Sequence, residues 1–407
     1  MIEEIANKIK DSGGVLYLVG GAIRDKLLGN TIEDEDYCVV GIEAKKFEQL
    51  FPEAHIRGKD FSVYEIDGKE FALARTEKKS GIGHKEFSIN TKNISIEEDL
   101  KRRDLTINAM AQNVLTGELI DPFQGREDLK NKRIKAIGQQ FSEDPLRVYR
   151  AARFAASMEF EVEENTIELM NSLKSELEIL SKERVFEEFR KALACKKPSI
   201  FFEVLKKAGV LEVHFKEIAD LIGAEQPIQY HPEGDSFNHT MLVVDKCAQL
   251  TSNLEIRFSS LVHDLGKGVT PREQYPHHYG HDKNGVPLVL ELGKRVGVPN
   301  RWMKCGKIAA AEHMRGGLFE KMRPSKKVEF IERANRSLLG LEGLQIVVIA
   351  DRCGRGKECE EPQFAEIGKQ CITEVNGETI KQEYPTLEGI ALKEKLQEER
   401  IKWMKKT

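Results

Sequence analysis

No stretch of this sequence approaches the roughly 18 consecutive apolar residues that a membrane-spanning helix needs. Its opening, MIEEIANKIKDSGG, is acidic and amphipathic, without the basic-then-apolar order of a secretory leader. Cysteine is sparse: seven residues, at 38, 195, 247, 305, 353, 359 and 371, odd in number and with no Cys-x-x-Cys pair. That pattern argues against a disulfide framework or a zinc ribbon, so reduced thiols and a cytoplasmic setting are expected. Cys353 and Cys359 lie close in sequence, but their spacing is wrong for a zinc knuckle. Charge of one sign is also scarce, the formal net charge being only −4. An RNA partner would therefore have to be met by basic residues gathered locally, since phosphate contacts dominate such affinities. Internal repeats and low-complexity segments are lacking too.

What is present fits a soluble globular protein, with 32% charged and 40% hydrophobic residues. At 407 residues the chain exceeds one ordinary core and suggests two to four domains of roughly 100–200 residues. The first third reads as mixed α and β. Val15–Val19 is a strand candidate ending in Gly20 and Gly21, followed by a helical stretch to Leu28 and Gly29. Tyr37–Val40 is a second strand, and Phe61–Ile66 with Phe71–Ala74 suggest a hairpin around Asp67-Gly68. From Glu143 apolar residues recur at three- and four-residue spacing, and no strand of comparable strength follows until the end. The expected fold is α+β: a head with a small mixed sheet over 1–137, a helical neck and body over 138–226, a helical histidine-bearing domain over 227–352 and a helical tail over 353–407.

Four patches of the first half carry chemistry. Gly20-Gly21-Ala22-Ile23-Arg24-Asp25 joins a strand to a helix, where backbone N–H groups and the helix dipole suit a phosphate and Arg24 offers a forked donor. Taken alone, it is more often a plain strand–helix connection. In Glu33-Asp34-Glu35-Asp36-Tyr37, strand alternation puts Asp34 and Asp36 on one face, as a hard cation would require; the plain alternative is a solvated acidic turn. Asp99–Ala109 contains Arg103-Asp104, guanidinium for phosphate and carboxylate for a ribose hydroxyl, or else a surface ion pair. Glu143–Phe154 sets Arg147, Arg150 and Arg153 every third residue, with Asp144 as an expected N-cap and Pro145 at the first helical position.

VGGAIRDKLLG, DED, DLKRRDLTINAMA, IDPFQGREDL and EDPLRVYRAARF stand in this order in the chain. In that order and spacing they resemble the bacterial class II tRNA nucleotidyltransferases, whose head is polymerase-β-like, over nearly the whole length. The resemblance implies that Asp34 and Asp36 bind catalytic Mg2+. It gives Gly21, Arg24 and Arg103 the triphosphate and Asp104 the ribose. Asp144 and Arg147 would serve as a protein template, accepting from the amine that C and A share and donating to ring acceptors, while Arg150 and Arg153 add nucleotide contacts. It implies transfer of CMP and AMP from CTP and ATP to the tRNA 3′ end. Arg75–Gly83 matches the family's flexible loop, tied to the switch from C to A, and is otherwise a polar connection. The basic residues between Ser181 and Ala208 suit a tRNA acceptor arm, or else a solvated helix face.

Most of the ten histidines fall later. His239, His263-Asp264, His281, His313 and Asp351 follow one another in a helical block, and His263–Lys267 resembles the HD metal phosphohydrolases. Nitrogen donors favour Ni2+ or another divalent transition metal over Mg2+. The expected ligands are His239, His263, Asp264 and Asp351, with His281 and His313 able to extend the site to two metals; His277 and His278 are read as supporting or surface residues. The resemblance implies hydrolysis of 2′,3′-cyclic and 2′ phosphates. A poly(A) polymerase, a phosphohydrolase with a nucleotide-sensing head, and a pure RNA-binding protein are the competing readings. The HD block counts against the first, the intact carboxylates and Arg103-Asp104 against the second, and Asp34 with Asp36 against the third. A monomer or homodimer without a membrane partner is expected.

Overall fold

In a computed structural model of the chain, residues 1–32, 34–57, 63–79, 87–90, 94–354 and 361–406 are described. The chain separates into two compact units, Met1–Leu180 and Ser181–Thr407.

Unit one is built on a seven-stranded mixed sheet. Its strands are β1 (Val15–Val19), β2 (Asp36–Val40), β3 (His55–Arg57), β4 (Val63–Ile66), β5 (Lys69–Leu73), β8 (Ala111–Asn113) and β9 (Leu119–Ile120). They lie in the order β3-β4-β5-β2-β1-β8-β9, where β6 (Thr76–Lys79) and β7 (Phe87–Asn90) form a separate antiparallel pair. All pairings in the seven-stranded sheet are antiparallel except β2 with β5. The β4–β5 hairpin turns where expected, with Asp67 at φ +48° and Gly68 at φ +76°, the left-handed pair that a two-residue turn demands. The segment expected to be a loop from Arg75 instead continues into β6; Ser80–Gly83 lie outside the described residues.

Alternation along β2 sorts the sheet's two faces. Tyr37 and Val39 pack with Ile5, Ile9, Phe47 and Phe71, beneath the helices Ile2–Asp11 and Ala44–Leu50. Cys38 points the other way, into a cluster with Val19, Ile96 and Leu100. Asp36 therefore shares the face of the helix Ile96–Lys101. Beyond the sheet come the helices Gly125–Lys130, Arg147–Met158 and Glu164–Ser172. One strand was not expected here: β11 (Glu161–Val162) runs parallel to β10 (Arg133–Ile134). The turn after Met158 brings Glu161 N within 3.0 Å of Lys132 O, so the pair is a local clasp too short for periodicity to reveal.

Unit two is helical throughout its described residues. Phe189, Phe202, Phe215 and Phe258 form a contiguous ring cluster in its core, and the C-terminal helices Phe364–Glu374 and Gly389–Lys406 join a second core around Phe330 and Leu344. Cys38, Cys195, Cys247, Cys305 and Cys371 are free, whereas Cys353 is disulfide-bonded, against the expectation of reduced thiols throughout. No helix among the described residues is long and apolar enough to cross a membrane.

Candidate active site and metal centre

The first site grows from the turn between β1 and the helix Gly21–Leu28. Gly20 has φ +68°, and a Cβ on it would lie 2.7 Å from Arg103 Nη1. Only glycine brings the backbone this close to that guanidinium. Arg103 itself is poorly satisfied. Its Nη1 reaches the Asn108 carbonyl at 3.5 Å, its Nη2 stands 3.6 Å from Asp99, and its buried Nε has no hydrogen-bond partner. A cation held this loosely beside a glycine turn is suited to an incoming anion.

Asp36 opens β2 beside Val19 of β1 and Glu70 of β5. It lines a cavity of about 190 Å3 together with Cys38, Asp99, Arg102 and Arg103. Desolvation raises its pKa, Asp34 adds to the rise and Arg103 opposes it. The influence of Asp34 shows the two carboxylates to be close enough to repel. Both residues are exposed at the surface. Two mutually repelling carboxylates open to solvent form a donor set that fits a hard divalent cation.

Asp104 is the buried anchor behind this opening. Its Oδ2 accepts from Nε and Nη2 of Arg150 at 2.7 Å each, and its Oδ1 accepts from Leu105 N and Asn108 Nδ2. Burial acts to raise its pKa, but the Arg150 charge and the Asn108 hydrogen bond outweigh it and hold the carboxyl at about 2. Asn108 joins the parts, because its Oδ1 also accepts from Arg24 Nη1 at 2.7 Å. The rest of the Arg24 fork closes on Asp25. Arg147 donates to the carbonyls of Arg102, Arg103 and Gln140, and Arg153 sits 3.8 Å over the Phe154 ring. Asp144, in extended backbone, accepts from Leu146 N at 2.9 Å through its side chain and from Arg147 N at 3.0 Å through its carbonyl. It therefore caps one tight turn through Pro145 and Leu146, and the regular helix begins at Arg147, two residues later than Pro145 suggested.

The structure thus gathers Asp36, Arg103, Asp104, Arg147 and Arg150 with the Gly20-Gly21 turn in unit one. It also adds Asn108 and Asp99, which the motif reading passed over. Asp99 is buried and accepts from Arg75 N and Arg102 Nε. In the sequence both look like ordinary polar residues of DLKRRDLTIN; only their contacts give them a role.

The second site lies in unit two and is buried. Asp264 Oδ2 lies 3.2 Å from His263 Nε2 and 3.6 Å from His239 Nε2, and its Oδ1 lies 3.3 Å from His281 Nε2 and 3.2 Å from His313 Nε2. Asp351 Oδ1 stands 3.1 Å from His239 Nε2. The far nitrogens of three rings are fixed by backbone: His263 Nδ1 by Ser260 O, His281 Nδ1 by His278 O, and His313 Nδ1 by the carbonyls of Ala309 and Ala310. Each carbonyl demands an N–H, so every Nε2 is left as a lone-pair donor aimed at the carboxylates. His239 Nε2, His263 Nε2 and Asp264 Oδ1 are buried without a hydrogen-bond partner of sound geometry. This donor set fits a divalent transition metal, and the ligand atoms of His239, His263 and Asp264, and those of Asp264, His281 and His313, fall within 4.8 Å of one another.

Local sequence explains the convergence. His263 follows directly on the helix Leu254–Val262 and Asp264 on its heels, while a Cβ on Gly266 would meet the His281 carbonyl at 2.0 Å, so only glycine lets the helix His281–Val296 approach. Desolvation would raise the pKa of Asp264, but His263 beside it and the Lys267 ammonium hold it well below the carboxylate range. Lys267 Nζ contacts Asp264 Oδ2 at 2.5 Å and Gln226 Oε1 at 2.6 Å. His278 is engaged elsewhere, with Thr270 and the Glu225 carbonyl, and exposed His277 stacks on Tyr279.

Three family models match successive parts of the chain. Residues 16–135 match the family described as "Poly A polymerase head domain", 159–222 "Probable RNA and SrmB- binding site of polymerase A", and 236–355 "HD domain". A multifunctional CCA protein of Shewanella denitrificans is 44% identical over 350 residues, 84% of each chain. That of Nitrosococcus oceani is 38% identical over 400 residues, 96% of this chain and 98% of its own. Among solved structures, an apo CCA-adding enzyme aligns with TM-score 0.68 at 21% identity over 98% of this chain and 90% of that one. A Thermotoga maritima CCA-adding enzyme aligns with TM-score 0.66 at 20% identity, over 98% and 89%. With two relatives above 30% identity across most of their lengths, the chain belongs to the multifunctional CCA protein family.

Proposed function

We propose that the protein completes the 3′-terminal CCA of tRNA by transferring CMP and AMP from CTP and ATP without a nucleic-acid template, and that its HD cluster hydrolyses 2′,3′-cyclic and 2′ phosphates. The observation that carries the first activity is the juxtaposition of Asp36 and the loosely held Arg103 around one cavity, with the Gly20 turn close against that guanidinium. Relatives of this fold have been solved with CTP, with ATP and with tRNA.

Asp34 and Asp36 would hold Mg2+, which when bound supplies charge that lowers the pKa of the attacking 3′-hydroxyl and neutralises departing pyrophosphate. Arg103 takes the triphosphate, with the Gly20-Gly21 turn allowing close approach and Arg24 bracing Asn108 behind it. Asp104, kept ionised, receives the ribose hydroxyl. Asp144 and Arg147 read the base edge: the carboxylate accepts from the exocyclic amine of C or A, and G or U would leave it facing a carbonyl. Because Arg147 also grips the carbonyls of Arg102 and Arg103, base reader and phosphate reader belong to one hydrogen-bonded unit. Exposed Lys182, Lys191, Lys196, Lys197, Lys206 and Lys207 give unit two a basic surface for the acceptor arm.

In unit two, His239, His263, Asp264 and Asp351 would hold Ni2+ or a similar ion, and His281 with His313 share Asp264 Oδ1 for a second. Such a metal supplies a hydroxide from its bound water for attack on a phosphodiester. With a tRNA substrate, a cytoplasmic location follows. The test uses tRNA transcripts ending before CCA, after C, after CC and complete, each incubated with labelled CTP or ATP. Stepwise incorporation that stops at the complete end is expected, and no incorporation into any transcript would overturn the reading.

A further inference from the structure

One carboxylate beside the HD cluster is not among its expected ligands. Glu233 Oε1 lies 2.8 Å from His239 Nδ1 and 2.9 Å from His231 Nδ1. His239 is fully buried and the Glu233 side chain is 6% exposed, so the contact is shielded from water. The loop delivers it. Gly234, at φ +100°, turns the chain directly after Glu233; Asp235 then caps the helix Ser236–Leu250 through Asn238 N, and Asn238 Nδ2 returns to the Glu233 carbonyl. The glutamate is thereby folded back under the first turns of the helix that carries His239.

The other cluster rings have their Nδ1 fixed by backbone carbonyls, which accept only. His239 alone among these four uses a side chain for that purpose. A carboxylate accepting from Nδ1–H fixes the tautomer with the lone pair on Nε2, the atom 3.1 Å from Asp351, and makes the imidazole a stronger donor. The neighbouring trio His231, Glu233 and His239 has the donor types of a separate metal site. Its members meet at hydrogen-bond distance through the one oxygen, however, and an Nδ1 that donates its proton to that oxygen keeps no lone pair for a metal.

We propose that Glu233 is a positioning residue for the metal centre, holding His239 with Nε2 toward the cluster, and that the His231–Glu233–His239 trio is its support rather than a further metal site. This rests on the reading of the HD cluster as a metal centre. The test titrates Ni2+ into the metal-free full-length chain by calorimetry, with wild type, Glu233→Gln, Glu233→Ala and His231→Ala. Glu233→Ala is expected to weaken Ni2+ binding 10- to 100-fold, with nucleotide addition by unit one unchanged as a check on folding. Glu233→Gln keeps a carbonyl acceptor and should recover most of that loss. His231→Ala should cost less than Glu233→Ala and leave the stoichiometry unaltered. Wild-type affinity in Glu233→Ala, or one Ni2+ fewer in His231→Ala, would overturn the proposal. Failure of wild type to bind Ni2+, Co2+ or Mn2+ would instead overturn the metal reading of the cluster, and the role of Glu233 with it.

Discussion

The two centres of this chain solve opposite electrostatic problems. In unit one, Asp34 and Asp36 reach the surface, and the desolvation and repulsion felt by Asp36 are opposed by the single charge of Arg103. In unit two, Asp264 and Asp351 are buried among four imidazoles and Lys267, and burial of so many polar atoms is tolerable only if they are compensated. The first centre can therefore be stable without a metal and accept one together with a triphosphate. The second is organised as a standing metal site, with lone pairs already oriented by backbone carbonyls and Glu233. The difference separates a centre assembled by substrate from one assembled by folding.

Breaking either centre should leave the other working. Asp36→Asn is expected to lower CMP and AMP incorporation at least ~1000-fold, about 4 kcal/mol of transition-state stabilisation, while hydrolysis of a nucleoside 2′,3′-cyclic phosphate is retained. Asp264→Asn should give the mirror image. A parallel fall of both activities in either variant would mean that the two centres are not independent.

The same contrast appears in thermal melting. A ligand at 100 times its dissociation constant stabilises the folded state by about 2.7 kcal/mol. Ni2+ in that excess should raise the melting transition of unit two by a few degrees, and a chelator should reverse it. Mg2+ without nucleotide should move the transition of unit one far less. An equal response of both transitions would erase the distinction between a standing site and a substrate-assembled one.

How much of this could be read from the sequence differed between the centres in an instructive way. The strand at Val15–Val19, the hairpin at Asp67-Gly68 and the helical second half followed from apolar periodicity and turn chemistry, because those signals act over a few residues. The motif residues of both centres were legible as residue types. The contacts that bind them were not: Asn108 reaches Arg24 across 84 positions, and Glu233 becomes meaningful only once Gly234 turns the chain beneath His239. Short range is also why the regular helix starts two residues after the expected position: Asp144 and Pro145 satisfy local rules for a helix start, and they form one tight turn ahead of Arg147. The β10–β11 clasp left no trace because two residues cannot show a period.

Within unit one, pH should distinguish buried from exposed carboxylates. Asp104 titrates near 2 in the folded chain, below an unfolded value near 3.8, so its ionised form stabilises the fold. That contribution is fully present above about pH 4 and disappears as pH falls through 2; at 1.36 kcal/mol per unit it amounts to about 2 kcal/mol. Asp104→Asn should thus melt below wild type at pH 5, with the gap narrowing at pH 3. A gap that widens on acidification would contradict the assignment of the Arg150 pair as its source.

The finest test concerns two glycines that share a positive φ but differ in ψ. Gly29, at φ +72° and ψ +19°, is left-handed helical, where alanine costs roughly 1–2 kcal/mol, whereas Gly20, at φ +68° and ψ −127°, lies in a region that only glycine adopts freely, so alanine costs more there. Their surroundings differ. Nothing lies within 4 Å of a Cβ at Gly29, whereas at Gly20 it would meet Arg103 Nη1 at 2.7 Å. Gly29→Ala should therefore lower stability and leave kcat/KM for CTP unchanged. Gly20→Ala should lower stability more than Gly29→Ala does and also cost about tenfold in kcat/KM, about 1.4 kcal/mol, by displacing the guanidinium from the triphosphate position. The comparison sets a helix end with open space around it against a turn whose Cβ would strike Arg103. If both variants lose activity equally, the loss is general to the fold and Arg103 is not held by the turn; if only Gly20→Ala does, the turn beside the guanidinium is what prepares this open centre for its substrate.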